Sequence, residues 1–266
     1  MTQDQKWLYF TSNRDAPDPK KFDAHLGAFR IPFDAVLDEL SAKVGTQKIY
    51  SDVKQIQPFY EQGKTIFNTS MPNDGSHHFF TDNRGFEWGP TGIYQRKNNE
   101  DAKLLLLKNS KIPADVHISP DGNRLYFVDY GDNPSRIYQS EKQNGRWQTP
   151  ALAPHFPAGS GYLTSTNRGV FYFHKDGDIH RLDKGATTSL PSEINCANGE
   201  CDPFIAQDES FLIVVRQDAE GDSNMYLSVK TEKGWTEAEK LPEPFNANKV
   251  DGSPYVTPDK QYLFWS

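Results

Sequence analysis

The sequence predicts an all-β fold of repeated four-stranded units, on three observations. A polar turn followed by a short aromatic-rich strand recurs: Ser119-Pro120-Asp121-Gly122-Asn123-Arg124-Leu125-Tyr126-Phe127, Thr257-Pro258-Asp259-Lys260-Gln261-Tyr262-Leu263-Phe264-Trp265 and, at the start, Thr2-Gln3-Asp4-Gln5-Lys6-Trp7-Leu8-Tyr9-Phe10. Hydrophobic residues are only 36% but aromatics reach 13%, a balance suited to many short strands that each bury a few large rings. The 19 Gly and 18 Pro are spread along the chain, so they punctuate turns throughout and do not mark one disordered tail. Units of this kind cannot bury their faces alone and must stack on one another.

Taken in order, Trp7 to Arg14 and Leu26 to Phe33 read as strands. Phe33, Val36, Leu37, Leu40 and Val44 then fall at helical spacing, with Asp34 as N-cap and Gly45 as stop. That spacing predicts a short amphipathic helix packed on an outer edge. Gln57-Pro58-Phe59-Tyr60 with Thr65-Ile66-Phe67 reads as the opening of a unit, like Asp202-Pro203-Phe204-Ile205 with Phe211-Leu212-Ile213. Four longer segments align, starting at Ser76, Asp115, Gly161 and Asp202. Each supplies an opening strand, a turn, a second strand, a Gly/Asp turn, a third strand and a more polar fourth. A four-stranded repeat of about 40–45 residues favours a β-propeller. Pro254 to Ser266 supplies two further strands, and the half-units at the two ends predict that the termini complete one blade, which removes exposed edges. Openings at 57, 115, 161, 202 and 253 give five blades; counting the Ser76 segment as its own blade gives six. Five is the favoured count, and residues 1–266 are read as a single domain.

Ser119-Pro120-Asp121-Gly122, Leu125-Tyr126-Phe127 and Arg136-Ile137-Tyr138, with Thr11-Ser12-Asn13-Arg14 near the start, resemble the WD40-like repeats of TolB-type β-propellers. The resemblance implies a bacterial envelope protein acting as an interaction scaffold. It carries over architecture and a general role, not contact residues.

The formal charge of −7 argues against a nucleic-acid partner, which favours a clustered basic face. No apolar run approaches a membrane span, and a soluble monomer is expected. The N-terminal residues lack the pattern of a signal peptide. The expected compartment is therefore the periplasm if a leader has been removed, and the cytoplasm otherwise. Cys196 and Cys201 are the only cysteines; a short disulfide loop is expected outside the cytosol, and no zinc set lies near them.

Propellers bind ligands where their inner strands converge, so the polar residues opening those strands are the first candidates. They are Gln57, Asp115, His117, Ser160, Tyr162, Glu200, Asp202, Asp251 and Ser253. The expected ligand-binding set is Asp115, His117, Asp202, Asp251 and Ser253. Acids crowded round one axis could hold a cation, bind hydroxyl groups, or raise the pKa of one carboxyl. The competing reading is that these acids cap turns. The functional expectation is a module that binds a protein, peptide or glycan through its axial face. The rival is a glycoside-hydrolase-like enzyme with Asp115, Asp202 and Asp251 as its carboxylates. No cofactor or dedicated metal site is expected, apart from a cation in the axial channel. His77 and His78 point to opposite faces of a strand, and no phosphate loop or nucleophile elbow occurs.

Overall fold

The computed structural model describes residues 10–12, 27–29, 66–82, 91–97, 100–242, 245–258, 260 and 263–265. Among them the fold is an all-β propeller. Four antiparallel sheets are complete. The first joins β3 (Ile66–Ser70), β4 (His77–Asp82), β5 (Gly92–Lys97) and β6 (Lys103–Leu104). The second joins β7 (Pro113–Ile118), β8 (Arg124–Asp129) and β9 (Arg136–Gln143), whose outer edge is covered by two short pieces, β10 (Arg146–Trp147) and β11 (Ala151–Leu152). The third runs β12 (Gly161–Ser165), β13 (Phe171–Lys175), β14 (Asp178–Asp183), β15 (Ala186–Ser189). The fourth runs β16 (Glu200–Ile205), β17 (Phe211–Gln217) and β18 (Ser223–Thr231), edged by β19 (Gly234–Trp235) and β20 (Glu239–Lys240). Two pairs remain: β1 (Phe10–Ser12) with β2 (Gly27–Phe29), and β21 (Tyr255–Val256) with β22 (Leu263–Phe264). β1 approaches β22, and β21 approaches β3.

Burial explains the strand patterns. The second strand of a blade has neighbouring blades on both faces, so Phe211-Leu212-Ile213-Val214-Val215 is apolar without alternation and buried throughout. The outermost Ala186-Thr187-Thr188-Ser189 is polar and exposed. The apolar core is a set of wedges between blades. Phe79 and Ile93 meet Val116, Leu125 and Phe127 between the first and second. Tyr126 and Val128 meet Leu163 and Phe173 between the second and third. Tyr172 and Ile179 meet Leu212, Val214 and Trp235 between the third and fourth. Ile213, Val215 and Met225 then meet Tyr255, Val256, Leu263 and Trp265. Each fully buried side chain of this size contributes about 1.5–3 kcal/mol. The Tyr255 hydroxyl donates to the Met71 carbonyl at 2.8 Å, tying the C-terminal strands to the first sheet.

The recurring turn is held by its own side chains. Asp121 accepts from the Ser119 hydroxyl at 2.5 Å and the Asn123 amide at 3.1 Å, and Ser119 Oγ accepts the Arg124 amide at 2.9 Å. These are the local bonds that make Ser and Asp turn formers. The same turn occurs at Pro72–Gly75, where the Gly75 amide donates to the Pro72 carbonyl at 2.9 Å. That repeat corrects the sequence alignment. His77–Asp82 is the second strand of a sheet opened by Ile66–Ser70, so the Ser76 segment is not a blade of its own. The opening assigned to 57–60 and the helix expected over 33–45 lie outside the described residues.

A buried ion pair anchors the loop before the fourth sheet. Arg216 Nε donates to Glu200 Oε1 at 2.9 Å, Arg216 Nη2 to the Ile194 carbonyl at 2.7 Å, and the Cys196 amide to Glu200. The Arg216 guanidinium also lies 4.7 Å from the Tyr226 ring centre. Glu200 is thus a structural residue of this loop. Both cysteines are free thiols: Cys201 packs against the last core wedge, while Cys196 sits in the loop that Glu200 holds.

Candidate functional site

Four inner strands and the segment leading into β21 converge on one pocket, and each contributes three consecutive residues: Asn68–Ser70, Asp115–His117, Tyr162–Thr164, Asp202–Phe204 and Ser253–Tyr255. The first residue of each triplet is left-handed, with φ of 51° at Asn68, 49° at Asp115, 40° at Tyr162, 44° at Asp202 and 49° at Ser253. In β3, β7, β12 and β16 the ladder shifts register at this residue. A bulge of this kind re-aims a side chain. A left-handed backbone costs a residue with a Cβ about 1–2 kcal/mol. Asn and Asp tolerate it best; Tyr162 and Ser253 adopt it as well. In every copy a second left-handed residue follows seven positions later, at Gly75, Gly122, Gly169, Glu209 and Lys260. The repeat thus sets both the bulge at the pocket and the turn at the far end of the strand.

The left-handed residues form two hydrogen-bonded groups, one around Asp115 and one around Asp202. Asp115 is buried and accepts from the Asn68 side-chain amide and the Tyr130 hydroxyl. Asp202 Oδ2 accepts from the Ser253 amide at 2.9 Å and its hydroxyl at 3.1 Å. Its Oδ1 is out of contact with solvent and has no hydrogen bond of ordinary geometry; the neighbouring Cys201 thiol, a weak donor, lies near the carboxylate. Burial pushes the Asp115 carboxyl up to about 7, against the pull of the Tyr130 hydroxyl and with added repulsion from Asp202. Burial also raises Asp202, against the Ser253 bonds. The two carboxylates keep the Tyr162 hydroxyl protonated, Asp202 most strongly, and burial with Asp115 does so for Tyr130. The phenols are therefore donors. An acid pair in which Asp115 is buried and Asp202 part-buried, with no Lys or Arg among the described residues lining the pocket, carries a desolvation penalty.

Local structure places these groups. The Asp129 carboxylate collects the amides of Lys111, Ile112 and Gly131 at 2.8–2.9 Å, which fixes the loop that carries Tyr130. Gly161 and Gly252 leave room: a Cβ on Gly161 would lie 3.3 Å from the Tyr130 hydroxyl, and one on Gly252 3.3 Å from Asp202 Oδ2.

The sequence-predicted residues divide into two groups. Asp115, His117, Tyr162, Asp202 and Ser253 line the pocket. His117 is a bracing residue there: its Nε2 meets Ser165 Oγ at 2.8 Å and its Nδ1 meets Ser70 Oγ at 3.5 Å, linking three inner strands. Burial holds it neutral, with a pKa lowered to about 3. Asp251, expected at the axis, is instead buried in the preceding loop, where it accepts from the Asn248 amide at 2.8 Å and side chain at 3.0 Å. It sits two residues before the left-handed Ser253, and its side chain serves the turn. Ser160 bonds the Pro157 carbonyl at 2.8 Å, and His78 meets Thr69 Oγ1 at 3.2 Å. Gln57 lies outside the described residues. Sequence reasoning missed Asn68 and Tyr130. Asn68 was legible, seven residues before Gly75 as Asp115 is before Gly122; no pattern marked Tyr130.

At the turn end of the strands, side-chain amides bridge across the axis. Asn73 Nδ2 donates to Asn167 Oδ1 at 3.0 Å, and Gln207 Nε2 donates to Asn73 Oδ1 at 2.5 Å. These three residues come from the first, third and fourth sheets. The pocket is small and open on one side, with a volume of about 40 Å³.

No family model matches the sequence, and no curated protein matches it. Solved structures do. The chain superimposes on TolB from Acinetobacter baumannii with a TM-score of 0.54 at 12% identity, covering 97% of this chain and 66% of that one. A protein described as TolB from Agrobacterium tumefaciens gives 0.53 at 16% identity, covering 77% and 71%. A chain of the nidogen/laminin complex gives 0.53 at 11% identity, covering 97% of each. The chain thus spans about two thirds of the length of the two TolB chains. At these identities the likeness is one of fold, and the fold of this chain is that of a β-propeller.

Proposed function

We propose that this chain is a five-bladed binding propeller whose axial pocket takes one small polar or charged group of a protein, peptide or glycan. The carrying observation is the convergence of five equivalent left-handed residues on one pocket that holds two desolvated carboxyls. The same set of residues supports a count of five blades. β21 and β22 stand where a fifth blade would, between the fourth sheet and the first, and β1 approaches them from the N-terminal side. The TolB resemblance supports a scaffold role and adds no contact residue.

Two carboxyls with raised pKa would also suit hydrolysis of a glycoside. Asp251, the third acid of that reading, however, serves the turn and does not line the pocket. Binding is therefore the better account. The test is a thermal-shift panel of peptides, oligosaccharides and divalent cations on wild type, Asp115→Asn and Asp202→Asn. A ligand that stabilises wild type and loses its effect in both variants supports the reading. Equal shifts in all three proteins would refute it.

A further inference from the structure

Resting on that axial reading, we infer that the group received is a primary ammonium at the end of an unbranched alkyl chain, as on a lysine side chain of a partner. Four observations select this chemistry. The first is charge: Asp115 and Asp202 share a pocket with no Lys or Arg among its described lining residues, so a cation would relieve their repulsion. The second is the unmatched acceptor. Asp202 Oδ1 is buried without an ordinary hydrogen bond, and a buried acceptor left so is costly until a donor arrives.

The third is size. A small pocket of about 40 Å³ suits a compact ammonium better than the planar guanidinium, whose five donors need a wider fork of acceptors. The fourth is the ligand count. Both oxygens of Asp115 already accept hydrogen bonds, from Asn68 and Tyr130. Among the described residues no group of three or more His, Cys, Asp or Glu is placed to hold a metal. Calcium takes six to eight oxygen ligands, so the arrangement suits a hydrogen-bond-donating cation better than a metal ion. The amide bridge of Asn73, Asn167 and Gln207 stands at the turn end, so the ammonium enters from the opposite face, past the bulged residues.

The titratable groups facing Asp115 are Tyr130, Tyr162, Asp202 and Cys201. The phenols and the thiol are held protonated, so the acids alone change charge near neutrality. Ammonium binding is favoured by ionised acids, so affinity rises with pH through about 7, by up to tenfold per unit while Asp115 is protonated.

The experiment is calorimetric titration of the whole chain at pH 8 with Nα-acetyl-lysine methylamide. The arginine and norleucine analogues, glycinamide and calcium chloride serve as comparisons. Saturable lysine binding in about the millimolar range, at least about tenfold weaker arginine binding, and no norleucine binding are expected. Asp202→Asn should weaken lysine binding by about tenfold or more, with Tyr162→Phe as a second variant if the first does not fold. Calcium binding without lysine binding overturns the inference, as does arginine or glycinamide binding as well as lysine. A neutral peptide or glycan whose thermal shift depends on Asp202 overturns it while leaving the axial binding reading intact. If no ligand acts through Asp115 or Asp202, both fall.

Discussion

Replacing Asp115 with Asn should reverse its effect on stability between pH 5 and pH 8. The folded Asp115 has its pKa raised to about 7, from an ordinary 3.8. A carboxyl raised on folding binds its proton more tightly in the native state, so its contribution is greatest below the unfolded pKa and is lost as pH rises through the folded one. Between pH 5 and pH 8 that loss runs over about two units, or about 3 kcal/mol. The asparagine amide of the Asp115→Asn variant would not titrate. Its Oδ1 can still accept from Asn68, and the Tyr130 hydroxyl can rotate to accept from the new Nδ2, so the variant forfeits about 1 kcal/mol of hydrogen bonding at any pH. The variant should be less stable than wild type at pH 5 and equal or more stable at pH 8. His117, lowered to about 3 by burial, gives the opposite slope between pH 3 and 6.5, but both proteins share it and it cancels in the difference. Urea unfolding of the two proteins at both pH values measures this. A difference in stability that does not change with pH would refute the desolvated axial acid.

Three other outcomes are expected. Glu200→Gln leaves the buried Arg216 guanidinium without its counter-charge and should cost about 3 kcal/mol or more in urea unfolding; a loss under about 1 kcal/mol would contradict the anchoring role. Gly122→Ala, at φ +72° with its Cβ 3.2 Å from Pro72 Cβ, should lower the melting temperature more than Gly145→Ala, at φ +74° with no atom within 4 Å; equal losses would mean that only backbone strain matters there. Deleting residues 252–266 removes the Tyr255–Met71 bond and the strands of the last core wedge, and should lower the melting temperature sharply; an unchanged melt would sink ring closure.

The repeat made the architecture legible because each turn carries its own Ser, Asp or Gly chemistry and each second strand is apolar on both faces. The count and phase were harder. Pro72-Asn73-Asp74-Gly75 performs the same turn as Ser119-Pro120-Asp121-Gly122 with its proline moved one place, so a reading by pattern opens the first blade at Gln57 and passes over Asn68. In the site, Asp115, Asp202 and Ser253 were legible as strand-opening polar residues. Asp251 matches the same pattern but lies two residues before the left-handed Ser253, where its side chain serves the turn instead. Tyr130 had no local signal: it reaches Asp115 from the end of β8, fifteen residues along the chain, and only the folded blade joins them.

Side-chain carboxyl ¹³C titration of Asp115 separates a desolvated axial acid pair that receives a cation from acids that only cap turns. A midpoint near 7 is expected, moving down when Nα-acetyl-lysine methylamide is added, because a bound cation favours the ionised carboxyl. A midpoint near 4, unmoved by that cation, would contradict it.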